Sequence, residues 1–132
     1  MKSLASGLFA VAALGLFVAS TASAADIADF DAAQKLMTEK GATCTVCHKL
    51  DQKGMGPSFN AIALHYKDKA DGAATIEKSI VDGVKGVWGT MPMPAQANAK
   101  DIAADLAKWI MSLNPEGDAK TAAEAELAAM PK

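Results

Sequence analysis

The chain contains two cysteines, three positions apart, with a histidine directly after the second: Cys44-Thr45-Val46-Cys47-His48. On one helical turn, side chains three apart project the same way. Two thiols placed so can reach both vinyl groups of a single haem and form thioether bonds, which leaves His48 under the iron. The pattern reads as c-type haem attachment. Three other chemistries fit less well. A thioredoxin-like pair needs a strand–helix–strand setting that this chain does not offer. Structural zinc takes four ligands, usually as two separated pairs; here the only further candidate is the isolated His65, and adjacent Cys47 and His48 would share one ion awkwardly. A disulfide between the cysteines would leave His48 unexplained.

A second chemically informative stretch is Gly83-Val84-Lys85-Gly86-Val87-Trp88-Gly89-Thr90-Met91-Pro92-Met93-Pro94. Its glycines and prolines forbid a regular helix or a central strand. It nevertheless carries a tryptophan and two methionines, so it should lie against something apolar, and a haem face and edge fit. Methionine sulfur is a soft iron ligand, and His/Met ligation raises the reduction potential. Met37 and Met111 fall in amphipathic helices, Met55 follows the cysteine motif too closely to reach the opposite face, and Met130 lies near the end. Met91 and Met93 remain, with spacing favouring Met93 only slightly; the alternative is that both merely line the pocket. Pro57 follows the motif closely enough for its carbonyl to accept the Nδ1 proton of His48, a contact that would fix the ring. Pro57 starting the next helix is an equally good reading of the spacing.

Helices must position these groups. Over residues 26–40, Ile27, Phe30, Ala33, Leu36 and Met37 recur at helical spacing, Asp26, Asp29 and Asp31 suit the start, and Gly41 suits the stop. Residues 49–60 read as loop, with Gly54-Met55-Gly56-Pro57 as turn punctuation. Residues 58–67 make a short helix with Ser58 as a cap, and His65 lies among charged neighbours as a solvated side chain. Residues 73–82 form a third helix, begun near Asp71 and ended by Gly83. Residues 99–113 give the clearest helix: Asn98 is the expected cap, and Ile102, Leu106, Trp109, Ile110 and Leu113 share one face, with Trp109 meeting the first helix near Phe30 or Leu36. The last stretch, 115–132, reads as an alanine-rich tail, partly helical and loosely docked.

The N-terminus bears on where the chemistry takes place. Lys2, an apolar run from Leu4 to Ala19 and Ala22-Ser23-Ala24 have the form of a secretory signal peptide over residues 1–24, its apolar core short for a membrane span; the alternative is an uncleaved anchor. Export to the periplasm follows, where haem is joined to thiols. Residues 25–114 then make one domain. With 13 lysines, no arginine and 15 acidic residues, the formal net charge is −2, which argues against nucleic acid as a partner. Much of the apolar content is alanine, so the core is thin; a covalently held porphyrin would supply missing contact area, and the apoprotein should fold weakly.

Taken together, the residues resemble the monohaem class I c-type cytochromes, in particular the small bacterial electron carriers that serve nitrite reductases and terminal oxidases. The resemblance runs from Phe30 to Leu113 and rests on Cys44-Thr45-Val46-Cys47-His48, Gly56-Pro57, Gly86-Val87-Trp88-Gly89, Met91-Pro92-Met93-Pro94 and Leu106-Ala107-Lys108-Trp109. It implies an all-α class I cytochrome c fold: about four short helices around one haem c held through Cys44 and Cys47, with the N- and C-terminal helices crossing. It implies His48 and Met93 as iron ligands, Pro57 as acceptor from His48, and Trp88 as donor to a haem propionate. It further implies an electron carrier whose partners are other redox proteins; iron with two strong protein ligands keeps no open position for a substrate, so a monomeric carrier and not an enzyme is expected. Lysines such as Lys49, Lys53 and Lys85 either form a docking ring at the exposed haem edge or are plain solvated surface, two equal readings. The chain departs from the pattern at Ser79, where relatives often carry an arginine near a propionate; that cation is either absent here or replaced by Lys78 or Lys85. The tail after Asn114 has no counterpart.

Overall fold

The computed structural model describes residues 26–131, so the expected signal peptide lies outside the described residues. Among the described residues there are six α-helices and one 3₁₀ segment, and no strand beyond an isolated bridge between Val84 and Met93. No helix among them is long and apolar enough to cross a membrane. The architecture is all-α, as expected, with more elements than the four helices read from periodicity.

Helix α1 (Phe30–Glu39) begins where Asp29 accepts the amide of Ala32 at 2.8 Å, which satisfies one of the orphan N–H groups of the first turn. It stops before Gly41 and buries Ala33 and Met37. Helix α2 (Cys44–Cys47) is a single turn, closed by the His48 amide on the Cys44 carbonyl at 2.9 Å. Helix α3 (Phe59–Tyr66) is capped by Ser58, whose hydroxyl accepts from Ala61, and α4 (Gly72–Asp82) ends at Gly83. Gly83 has φ +79°, and a Cβ there would lie 2.6 Å from the Met93 carbonyl. Only glycine allows the chain to turn so closely into the methionine loop.

The last amphipathic segment starts differently from its expected form. Residues Ala97–Ile102 are 3₁₀, and α5 (Ala103–Ser112) follows. Asn98 does not cap its own helix: its side-chain amide donates to the carbonyls of Lys40 (3.1 Å) and Gly41 (2.5 Å). Those are carbonyls at the C-terminal end of α1, which no longer have helical partners. Helix α5 meets α1 through Trp109, whose ring stacks on Phe30 at 6.2 Å and meets Phe59 edge-on at 5.2 Å. Phe59 in turn lies 5.5 Å from the His48 ring. One aromatic cluster thus ties α1, α3 and α5 to the histidine of the cysteine motif.

The tail is more ordered than the loosely docked segment expected. Residues Gly117–Ala128 form a 12-residue helix, α6, packed against α3. Ala123 on this helix is fully buried; so small a side chain lets the two backbones approach closely.

Candidate haem site

His48 is buried and held from two directions. The Pro57 carbonyl sits 2.7 Å from Nδ1. A carbonyl can only accept, so Nδ1 carries the proton and the other ring nitrogen, Nε2, keeps its lone pair. Gly56 packs on the ring: a Cβ there would fall 2.5 Å from Cε1 and 2.9 Å from Nδ1. Burial lowers the ring's pKa, and the Pro57 bond offsets part of that fall. The ring is therefore neutral and oriented at neutral pH, as a metal-binding imidazole must be.

Cys44 is buried and Cys47 partly so, and both are free thiols. Burial, reinforced by the neighbouring Cys47, pushes the Cys44 thiol up, against a smaller opposing backbone hydrogen bond. Redox-active Cys-x-x-Cys pairs depend on a lowered thiol pKa, so the environment of Cys44 opposes that chemistry. Among the described residues, no group of three or more histidine, cysteine, aspartate or glutamate side chains could hold an ion, which leaves the zinc alternative without its ligands.

Both thiols and His48 line a cleft of about 350 Å³, within the range of small-ligand pockets. Its floor is apolar, built from Met37, Phe59, Ile62, Ile76, Ile80, Leu106 and Ile110. The methionine loop forms another wall. Main-chain bonds in both directions join Val84 and Met93, at 3.0 and 2.8 Å. Met93 packs against the core, whereas Met91 is 64% exposed. Trp88 is half-buried on the same wall and its ring lies 4.9 Å from His65. His65 is thus not simply solvated: it is partly covered by Tyr66 and Trp88, and Lys69 donates to its Nε2 at 2.8 Å.

Three contributors escaped sequence reasoning. Tyr66 of α3 is buried and lines the cleft. Gln96 joins the cysteine turn to α4 and the methionine loop: its side-chain oxygen accepts from Thr43, its main-chain N–H donates to the Ile80 carbonyl and its side-chain amide donates to the Pro94 carbonyl. Glu126, Ala129 and Met130, all from the tail, close one side of the cleft. Thr43 and Gln96 are 53 residues apart, so no local spacing pairs them, and nothing local distinguishes Glu126 from the other acids of its helix.

The donor set and the cleft fit a haem: paired thiols on one turn, a neutral imidazole beside them and an apolar lining. Fold and site together define a helical protein that holds haem through cysteine. The comparisons agree. The cytochrome c family model matches residues 30–114. Cytochrome c-551 of Pseudomonas denitrificans is 43% identical over 74 residues, covering 56% of this chain and 90% of that protein. Cytochrome c-552 of Nitrosomonas europaea is 40% identical over 101 residues, covering 76% and 94%. The crystal structure of wild-type Nitrosomonas europaea cytochrome c552 superposes with a TM-score of 0.55 at 38% identity, covering 61% of this chain and 99% of that one.

The chain belongs to the cytochrome c family, as a monohaem class I member. Its cofactor is haem c, attached through Cys44 and Cys47, and its work is electron transport.

Proposed function

We propose that this cytochrome is a periplasmic one-electron carrier with His48 and Met93 as axial iron ligands, shuttling electrons between respiratory redox proteins. What carries the reading is that both residues line one cleft and each is held by main-chain hydrogen bonds, His48 by Pro57 and Met93 by Val84. When bound, the haem supplies an Fe(III)/Fe(II) couple. His48 contributes a neutral, oriented imidazole, and Met93 a thioether that favours the ferrous state and raises the potential. Val84, Pro92 and Pro94 hold that thioether stiffly, so little has to move as charge changes. With two protein ligands in place no coordination position stays open to a substrate, which makes the protein a carrier and not an enzyme.

In this reading Trp88 donates its indole N–H to a propionate and Pro57 fixes His48. Residues 1–24 direct export and are removed, 25–114 form the cytochrome domain, and 115–132 are appended to it. The mature protein is a monomer without membrane insertion, and the exposed Lys49, Lys53 and Lys85 form part of the docking face for donor and acceptor proteins. The test is carbon monoxide added to ferrous protein at neutral pH. An unchanged absorption spectrum is expected; rapid binding would point instead to a gas-sensing or peroxide-handling haem with a labile sixth ligand.

A further inference from the structure

We infer that Glu126 is a positioning residue for His48, acting through the peptide group that joins Pro57 to Ser58, an inference that rests on His48 being the axial ligand. The two ends of that one peptide are both engaged. Its carbonyl lies 2.7 Å from His48 Nδ1, and its N–H donates to Glu126 Oε2 at 2.9 Å. Pro57 and Ser58 are buried. The second carboxylate oxygen, Oε1, is also buried and finds no hydrogen-bond partner, and Glu126 forms no ion pair among the described residues. Its charge is therefore spent chiefly on the Ser58 amide.

The consequence is electronic. A carboxylate bonded to an amide N–H draws electron density toward the carbonyl end, and hydrogen bonds in series polarise one another. The Pro57 oxygen becomes a stronger acceptor for the His48 proton. A more strongly held Nδ1–H makes imidazole a more basic ligand, and a more basic ligand favours Fe(III). Glu126 thereby lowers the reduction potential, opposing the thioether. The helix that carries it lies beyond residue 114, where the family match ends, so this chain adds a control on its ligand from outside the shared fold.

The experiment compares matured holoproteins: wild type, Glu126→Gln and Glu124→Gln. Glutamine keeps shape and an acceptor but loses the charge, and charge-assisted bonds are about twice as strong as neutral ones. Glu124 is on the same helix, exposed and paired with Lys120, so its variant controls for charge loss alone. At a fixed ambient potential, Glu126→Gln should raise the Fe(II)/Fe(III) ratio about threefold, roughly 28 mV at 59 mV per tenfold for one electron. The His48 Nδ1 proton of the ferrous protein should move upfield as its hydrogen bond weakens, and Glu124→Gln should change neither.

An unchanged potential in Glu126→Gln would overturn the proposal and leave Glu126 as a docking contact for α6. A raised potential with a stationary His48 proton would overturn it too, in favour of through-space charge. If Glu126→Gln does not mature, the wild-type Ser58 amide decides: a downfield, slowly exchanging proton supports the relay and a rapidly exchanging one refutes it. Carbon monoxide binding by wild-type protein would instead mark a failure of the His/Met assignment itself.

Discussion

The Pro57 carbonyl accepts the Nδ1 proton of His48 at 2.7 Å, across nine residues of chain. That single bond sets the tautomer, aims the lone pair and explains the neighbouring glycine. Gly56 leaves no room for a side chain, since a Cβ would press on Cε1 and Nδ1 of a ring already held by Pro57. Gly56→Ala should therefore destabilise the protein by about 1–3 kcal/mol, the usual range for overpacking. Denaturant unfolding of the ferric holoprotein measures this, and wild-type stability would show that the ring can move aside.

Met93 and Met91 should behave differently on truncation. Met93 packs on the core and is bonded to Val84, while Met91 is mostly exposed. Met93→Ala should lower the potential and let ferrous protein bind carbon monoxide; Met91→Ala should do neither. Potentiometric titration with a carbon monoxide spectrum checks both, and swapped outcomes would move the ligand to Met91.

Trp109 joins α5 to α1 and α3 through its contacts with Phe30 and Phe59, and is 4% exposed. Trp109→Ala should cost about 3–5 kcal/mol, as large aromatic truncations in cores do. Loss of that size is a large part of the stability of a small domain. Thermal unfolding should show a clearly lower midpoint, with the haem spectrum retained at low temperature.

His65 should titrate below the ordinary histidine range, first because Tyr66 and Trp88 partly bury it and second because Lys69 faces it. A depressed folded pKa means its contribution to stability is full above about 6.5 and is lost as pH falls through the lower folded value. Lys69→Ala should move the pKa partway back up, since burial is the larger cause. An NMR titration of the His65 ring tests this; a pKa at or above 6.5 in the wild type would contradict it.

What was legible in the sequence was what local spacing encodes. The cysteine turn, the apolar stripe of α5, the acidic start of α1 and the Ser58 cap follow from neighbours within a few residues, and the structure has them. Asn98 shows the limit: its residue type signals a cap, but the carbonyls it satisfies belong to Lys40 and Gly41, some 57 residues away. The α6 helix was obscured because its docking relies on alanine and on one carboxylate, with Leu127 its one large apolar side chain and Met130 just beyond its end. No periodic stripe announces such a helix. His65 was misjudged because its charged sequence neighbours conceal Trp88, which only the fold brings beside it.

The most direct test of paired axial ligation is proton NMR of the ferrous holoprotein with methionine methyls assigned. A methyl bound above the haem plane lies in the shielding cone of the porphyrin ring. One methionine methyl should be shifted far upfield and should belong to Met93; an upfield methyl assigned to Met91, or none at all, would contradict the account.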